Sequence, residues 1–332
     1  MTNNLALEPD RRWVAEATAG RYEVLHEIGR GGMSRVLLAW DRTEGRDVAL
    51  KLLSPGPAAS LEGRERFRRE ALITARANHP HIVPCYEFVC RGSRAMAVMR
   101  YVPGHSLADR LSGGDSARLD ARALLAILVP IADALAHVHR LGVVHRDVKP
   151  ANILLHADDG WPFLTDFGVA TLRTSDHSCW EATQRLGTPE FMSPEQALGA
   201  WDADHRSDIY SLGLVAYVAL TGASPFNGGP PLALAAQRAA LDVPPLSRRT
   251  AGVPEPLAVI VDRCLARDPR QRWRDAGALC RALTRVARRL TPRARPRRWW
   301  DGWREQLVAS LRYGNSRRPR IDSSPARASR VA

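Results

Sequence analysis

A glycine-rich run near the amino terminus has the composition of a loop that could contact phosphate groups. Gly29, Gly31 and Gly32 lie between two short apolar runs, and Ser34 stands where a third small residue would be expected. Because glycine lacks a Cβ atom, the backbone amides of such a loop can approach a polyphosphate closely. A glycine-rich hairpin turn without a ligand explains the same residues, so the loop alone does not decide the chemistry.

The two lysines of the chain fall at informative places. Of 48 basic residues only Lys51 and Lys149 are lysine, and such an arginine bias is typical of genomic composition. A lysine in this background indicates a position that needs a compact ammonium group. Lys51 ends an apolar run fifteen residues after Val36, and Glu70 on the following helical segment could pair with it. The plainer alternative is a solvent-facing lysine and a Glu70 on a solvated helix face near Arg66, Arg68 and Arg69.

The most specific motif lies in the middle of the chain. The run His145-Arg146-Asp147-Val148-Lys149-Pro150-Ala151-Asn152 is followed, fourteen residues after its end, by Asp166-Phe167-Gly168. This order and spacing resemble the eukaryotic-like (Hanks-type) protein kinases. The resemblance spans about residues 22–286, and the sequences around Lys149 and Gly187-Thr188-Pro189-Glu190 are similar to serine/threonine-specific members. The Met33-Ser34 loop and the run Met192-Ser193-Pro194-Glu195-Gln196 are similar to bacterial members.

The resemblance implies transfer of the ATP γ-phosphate to protein hydroxyls with Mg²⁺ or Mn²⁺. Lys51, steadied by Glu70, would neutralise the α- and β-phosphates, and Lys149 would reach the transferred phosphate. Asp147 would orient the acceptor hydroxyl and take its proton. Asn152 and Asp166 would supply the hard oxygen ligands that a magnesium ion prefers. Serine and threonine side chains of proteins are the acceptors that the resemblance implies.

The resemblance also implies a nucleotide site. Met99 matches the gatekeeper position, and the backbones of Arg100 and Val102 would face the adenine edge. Members often carry glutamate where this chain has Arg100, which places a side-chain role there in doubt. The full set of expected nucleotide-binding residues is Ile28, Gly29, Gly31, Gly32, Ser34, Val36, Ala49, Lys51, Glu70, Met99, Arg100 and Val102.

Substrate binding and regulation are expected after residue 166. Thr188 would line the substrate pocket near Asp147, and Glu195, Asp208 and Arg272 match structural supports of the family. Arg146 beside Asp147 is typical of kinases that are activated by phosphorylation of this segment. We predict Thr183 as the autophosphorylation site. The alternative is that the hydroxyl side chains there are ordinary loop residues: Thr171, Thr174, Ser175, Ser178 and Thr183.

Hydrophobic patterning predicts the elements that would position these residues. Short strand-like runs are expected at 22–28, 36–41, 47–53, 82–89 and 95–102, with a helix over 63–78. Helical patterns follow at 124–141, 209–220, 257–265 and 276–286. The prediction is an α+β, two-lobed protein kinase fold, with a small antiparallel-sheet lobe carrying one helix and a larger, mainly helical lobe. The expected divisions are 1–20 (extension), 21–102 (N-lobe), 103–290 (C-lobe) and 291–332 (tail).

Charge and cysteine content restrict the surroundings of the protein. Of the net charge of +13, +11 lies in residues 285–332, which hold 14 Arg against three acidic residues, so the main body is almost neutral. Nucleic acid is not an expected partner. Five cysteines without CxxC spacing favour a reducing cytoplasm. The Arg- and Trp-rich tail could contact an anionic membrane surface, fold back on the kinase or stay disordered.

Two other classes of function remain as alternatives. The first is a pseudokinase that binds partners without catalysis, which usually lacks at least one of Lys51, Asp147, Asn152 and Asp166. All four are present here. The second is a small-molecule phosphotransferase on a related fold, against which the segment 187–195 and the supports Asp208 and Arg272 argue.

Overall fold

The computed structural model describes residues 7–32, 34–54, 56, 60–113, 117–167, 189–199, 203–226 and 229–290. They form a small sheet-rich lobe followed by a larger helical lobe, so the predicted two-lobed α+β fold is confirmed. The elements of the first lobe are α1 (Glu8–Ala17), β1 (Tyr22–Arg30), β2 (Ser34–Asp41), β3 (Arg46–Leu53), α2 (Leu61–Arg76), β4 (Cys85–Arg91) and β5 (Arg94–Arg100).

The sheet of the first lobe is antiparallel, with strand order β1-β2-β3-β5-β4. Its central strand β3 is buried from Val48 to Leu53 because both faces of the sheet are covered. Helix α2 packs Phe67 and Ala71 on one face, and α1 packs Val14 on the other. A strand buried on both faces reads as one apolar run, which is why this strand was visible in the sequence.

Two details of this lobe differ from the sequence-based expectation. No element was expected in residues 1–20, yet Glu8–Ala17 forms α1, because its single buried face is too short to show a clear period. Strand β4 begins at Cys85 and not at residue 82, because Pro84 has no amide hydrogen for a ladder. Ile82 instead forms an isolated parallel bridge with Leu164 of the second lobe.

The second lobe is built around two long helices. Its elements are β6 (Gly104–Ser106), α3 (Leu107–Leu111), α4 (Ala121–Arg140), β7 (Ile153–His156), β8 (Pro162–Leu164), α5 (Pro194–Ala197), α6 (His205–Thr221), α7 (Pro231–Ala240), α8 (Glu255–Cys264) and α9 (Ala276–Leu290). Helix α6 is buried almost all round, and it packs with α4, α8 and α9 into one apolar core. The small antiparallel sheet β6-β7-β8 lies at the edge that faces the first lobe.

Helix α4 has the length and apolar composition of a membrane span. It runs over 20 residues with Pro130 in its interior, and it is the one such helix among the residues that the structure describes. Ten of its residues are buried, from Leu124 to Val138, and they form part of the C-lobe core. In this structure α4 is therefore a core helix.

Candidate active site

Lys51 is held between two carboxylates at the junction of the lobes. It lies on β3 with Val36 and Ala97 as its neighbours on the adjoining strands. Its Nζ is 2.7 Å from Glu70 Oε1 on α2 and 2.9 Å from Asp166 Oδ1 after β8. The three side chains thus converge from the sheet, from the helix and from the second lobe.

The ionisation of this cluster follows from its burial and its charges. Burial alone would lower the pKa of Lys51, but the carboxylates of Asp166 and Glu70 outweigh it and raise that pKa. Burial raises the pKa of Glu70, whereas for Asp166 the nearby Lys51 outweighs the burial and lowers the pKa. Lys51 is therefore protonated, and its positive charge favours the ionised form of both carboxylates.

The loop between α4 and β7 brings three further polar side chains together. Lys149 Nζ donates to Asp147 Oδ2 at 2.7 Å. Asn152 Nδ2 donates to the same oxygen at 2.9 Å and to the Asp147 carbonyl at 2.8 Å. Asp147 Oδ2 is thus fixed by two donors, and the contacts of the described residues leave Oδ1 for another partner.

A buried carboxylate holds the backbone of this loop. Asp208, on α6, accepts hydrogen bonds from the amides of His145 at 2.8 Å and Arg146 at 2.7 Å. His139 Nε2 donates to it at 2.8 Å. Burial would raise the pKa of Asp208, but the hydrogen bond from His139 and the other donors lower it. These bonds hold Arg146 at φ +67, a conformation that a non-glycine residue adopts only under constraint.

His145 connects this loop to the segment that carries Asp166. Its Nε2 donates to the Thr165 carbonyl at 3.1 Å, and its Nδ1 accepts from the Asp147 amide at 3.2 Å. Its ring lies 4.6 Å from the ring of Phe167, centroid to centroid. Burial lowers the pKa of His145, so the neutral tautomer that both bonds require is maintained. Asp166 is held at φ +58. His145 thus links the loop that carries Asp147 to the segment that carries Asp166.

The predicted glycine-rich loop is the β1–β2 hairpin, and its tip is exposed. Gly29 pairs with Val36, and the Gly31 amide donates to the Ser34 carbonyl at 2.8 Å. A Cβ atom added to Gly32 would meet no atom within 4 Å, so its lack of a side chain is not a packing requirement within the protein. Ile28, at the approach to the tip, is 40% exposed. At the tip of the hairpin, the backbone of Gly31 and Gly32 is therefore exposed to solvent.

The expected adenine-binding residues lie in one apolar cluster. Ala49, Met99 and Val102 are buried in it, and Val36 packs against it. Arg100 places its guanidinium 5.0 Å from the centre of the Phe163 ring, and its amide donates to the Pro84 carbonyl at 3.0 Å. Because the Arg100 amide is already used, the backbone group of Arg100 that could bind adenine is its carbonyl, which could accept a hydrogen bond from the adenine amino group. Leu154 on β7 joins the cluster from the second lobe and was missed, because its short strand carries no motif.

Two buried arginines hold the segment 190–195. Arg272 is fully buried and binds Glu195 through Nη1 at 2.7 Å and Nη2 at 2.8 Å, the pairing that the family resemblance implied. Arg238 on α7 is also fully buried and donates to the carbonyls of Met192, at 3.0 Å, and of Glu190. Thr188 and Thr183 lie outside the described residues.

Three of these anchoring residues were not predicted from the sequence. The run Ser193-Pro194-Glu195-Gln196 is a capping box and could have been recognised as one. Gln196 Nε2 then donates to the Arg146 carbonyl at 3.1 Å, which ties this short helix to the loop between α4 and β7. For Arg238 and His139 the sequence carries no signal, because each acts on a partner that is distant along the chain.

An antiparallel five-stranded sheet with a helix on each face, a helical lobe and this polar cluster between them define a two-lobed protein kinase fold. Residues 22–282 match the protein kinase domain family, and the chain belongs to that family. Members of the family use ATP and a divalent metal and phosphorylate proteins, as the sequence resemblance implied.

The chain is similar to several bacterial serine/threonine-protein kinases. It is 37% identical over 310 residues to PknB of Mycobacterium tuberculosis, covering 92% of this chain and 49% of that protein. It is 36% identical over 263 residues to PrkC of Bacillus subtilis, covering 79% and 40%. The kinase domain of Mycobacterium tuberculosis PknI superposes with a TM-score of 0.64 at 31% identity, covering 80% of this chain and 96% of that one. The chain thus spans about half the length of the curated relatives it matches.

Proposed function

We propose that this protein is an active serine/threonine protein kinase that transfers the γ-phosphate of ATP to Ser/Thr hydroxyls of proteins. The observation that carries the proposal is the position of Lys51 Nζ, 2.7 Å from Glu70 and 2.9 Å from Asp166. A cation fixed in this way, beside a fixed Asp147, provides the positioning and charge stabilisation on which phosphoryl transfer depends.

In the proposed reaction the acceptor hydroxyl oxygen attacks the γ-phosphorus and the bond to the bridging oxygen of ADP breaks. Asp147 Oδ1 takes the hydroxyl proton, since Oδ2 is occupied by Lys149 and Asn152. Lys149, whose Nζ is 2.7 Å from Asp147 Oδ2, would contact the transferred phosphate. Lys51 neutralises the α- and β-phosphates, and Glu70 keeps its ammonium in place.

The residues proposed for the metal fit Mg²⁺ or Mn²⁺ by the chemistry of their donors. Asn152 uses its amide nitrogen on Asp147, which leaves its amide oxygen for a metal. Asp166 uses Oδ1 on Lys51, and its side chain is 39% exposed. Hard oxygen ligands of this kind suit a divalent ion that shares its coordination with phosphates. When bound, the ion would supply positive charge to the phosphate oxygens.

The proposal is tested by incorporation of labelled phosphate from γ-labelled ATP with Mg²⁺, into the protein itself and into myelin basic protein. Wild type is expected to label serine and threonine, and Asp147→Asn and Lys51→Met are expected to lose the label. Asp158→Asn is a matched control, because this aspartate side chain is 89% exposed. A protein that binds ATP but labels nothing under any condition would contradict catalysis and favour the scaffold alternative.

We propose that Thr183 is the principal autophosphorylation site and that Thr188 lines the substrate pocket. The support is their position between Asp166 and the fixed segment at Glu195. Asp208 and Gln196 hydrogen-bond to the backbone of Arg146 in the loop between α4 and β7. The position from which the Arg146 side chain extends is therefore fixed. Phosphopeptide mapping of active enzyme that finds Thr183 unmodified would exclude the first assignment.

We propose a cytoplasmic protein whose tail, residues 291–332, makes weak contact with anionic membranes. The four cysteines among the described residues are free thiols, and burial raises the pKa of Cys85 and of Cys264 to about 12. Free thiols, one of them the exposed Cys90, suit a reducing compartment. The tail lies outside the described residues, so its support is the sequence alone. Sedimentation with anionic vesicles should retain the full chain more than a 1–290 truncation, and equal binding would exclude the contact.

A further inference from the structure

We infer that helix α1 positions the glycine-rich hairpin for the nucleotide, through a chain of ion pairs that runs from Asp10 to Arg35, Glu27 and Arg30. Asp10 is thereby a positioning residue, and the inference rests on the proposed ATP-dependent function. The glycine-rich hairpin is residues 28–36, from the end of β1 to the start of β2.

Helix α1 is a firmly docked support. Leu7 and Val14 are buried in the apolar cluster on the face of the sheet opposite α2. At the far end of the sheet, Arg91 Nη1 on β4 donates to the Glu16 carbonyl at 2.5 Å. The guanidinium of Arg94 lies 4.8 Å from the centre of the Trp13 ring. Apolar and polar contacts therefore fix both ends of the helix on the sheet.

Asp10 connects this docked helix to two strands. Its Oδ2 accepts from Arg35 Nη1 at 2.5 Å, and its Oδ1 accepts from Arg94 Nη2. Arg35 Nε is also 3.3 Å from Glu27 Oε2. Glu27 in turn binds Arg30 through Nε at 2.8 Å and Nη2 at 2.9 Å. One carboxylate on α1 thus leads to charged side chains on both strands of the hairpin.

Most of these charges are partly screened from water. The side chains of Asp10 and Glu27 are each 14% exposed and that of Arg35 is 24% exposed, whereas Arg30 at the end of the chain is 58% exposed. Isolated surface pairs contribute little to stability, but the partly buried pairs of Arg35 with Asp10 and Glu27 are better placed to hold a conformation. Hydrogen bonding to Arg30 lowers the pKa of Glu27, so the carboxylate at the centre of the chain is ionised.

The position of the network explains why the hairpin would depend on it. Arg30 and Arg35 pair across the two strands, one on each side of the tip. Of the four residues between them, Gly31 and Gly32 have no side chains with which to anchor the loop. The strand register also shifts between Glu27 and Gly29, so the ladder is irregular where the hairpin bends. The ion pairs of Arg35 with Asp10 and Glu27 therefore supplement the backbone ladder and tie the start of β2 to α1 and to β1.

A hairpin held in its working position loses less conformational freedom when it covers a nucleotide. That loss is part of the cost of binding, and a pre-organised loop lowers it. Breaking the connection at Asp10 should therefore weaken nucleotide binding while leaving the phosphoryl-transfer groups in place. The expected signature is a higher KM for ATP with kcat and the KM for acceptor protein unchanged.

The experiment is calorimetric titration with the non-hydrolysable analogue AMP-PNP and Mg²⁺, together with steady-state kinetics, on the full chain. Asp10→Asn and Arg35→Gln should each raise the Kd and the KM for ATP about three- to tenfold, in line with a partly buried ion pair. Because the two residues form one connection, the double variant should bind nucleotide no more weakly than the single variant with the lower affinity. If Asp10→Asn does not fold, Arg35→Gln tests the same ion pair from the other side.

Two controls separate positioning from general stability. Glu8→Gln changes an exposed carboxylate on the same helix, and Arg42→Gln removes an exposed ion pair with Glu23 at the other end of β1 and β2. Both should leave nucleotide affinity unchanged. Wild-type affinity in Asp10→Asn, or an equal loss in Arg42→Gln, overturns the inference and leaves the proposed function intact. A wild-type protein that binds no nucleotide overturns both.

Discussion

The ammonium nitrogen of Lys51 lies 2.7 Å from the Oε1 of Glu70, which joins β3 to α2 within the sheet lobe. The lysine side chain is 9% exposed and that of the glutamate 21%. Burial raises the pKa of Glu70, so this glutamate depends on the lysine to stay ionised. The position of the Lys51 ammonium group therefore depends on the orientation of α2.

The first prediction concerns this pair. Lys51→Met should lower kcat/KM by about 100- to 1000-fold, the usual effect of losing one pre-organised electrostatic group. Glu70→Gln should lower it by about 10- to 100-fold, because the ammonium remains but is no longer held in place. Lys51→Arg is a matched variant that keeps the charge with a planar group of different reach. Steady-state phosphorylation measures all three, and full activity of Lys51→Met would contradict the site.

The second prediction concerns the ion pair between Glu195 and Arg272. Glu195→Gln leaves a fully buried arginine without its charged partner and should destabilise the protein by about 3–5 kcal/mol. The double variant Glu195→Leu/Arg272→Met should recover part of that loss, since no buried charge then remains unpaired. Urea denaturation measures both. Arg270→Gln, which removes an exposed pair with Asp268, should show no measurable change.

The third prediction separates substrate binding from nucleotide binding. Arg238→Met removes the donor to the Glu190 and Met192 carbonyls next to the predicted substrate pocket. The KM for an acceptor protein should rise about tenfold through misplacement of this segment, with the KM for ATP unchanged. Arg267→Gln is the control, because Arg267 donates to the Ala239 and Ala240 carbonyls at the end of the same helix α7. Equal effects of both variants would indicate a general role of α7.

The fourth prediction is a pH dependence of stability that arises from His81. Burial lowers the pKa of His81 from 6.5 to about 4, while its ring stacks on Trp161 and Nδ1 donates to the Pro162 carbonyl. His81 binds a proton more readily in the unfolded chain than in the folded protein. The stability that the neutral imidazole contributes to the folded state is therefore present above pH 6.5 and is lost as the pH falls towards 4. At pH 5 the loss is about 2 kcal/mol.

His81→Asn is the variant that tests this, because its amide nitrogen can replace Nδ1 as the donor. The free energy of unfolding should fall less between pH 7.5 and pH 5.0 in this variant than in wild type. His26→Asn, which changes an exposed histidine on β1, should follow wild type. An unchanged pH dependence in His81→Asn would show that other groups near it, such as His79 and Asp133, determine the acid limb.

The sequence by itself determined the two-lobed fold and the side chains of the candidate site, because both follow from patterns of residues that are close together along the chain. The run from His145 to Asn152 with Asp166 identifies the chemistry, since phosphoryl transfer needs particular residue types at fixed offsets. The apolar run of β3 and the long apolar pattern of α4 were visible because their burial follows from composition and period alone.

Only the tertiary structure decided how these residues are held. Asp208 binds the amides of His145 and Arg146 from a helix more than sixty residues away, and the buried Arg238 takes two carbonyls of a segment 46 and 48 residues before it. Helix α1 and its Asp10 gave no pattern because the helix buries a single short face. Contacts of this kind depend on which elements pack together, and a side chain whose partner is remote leaves no periodic signal in its own neighbourhood.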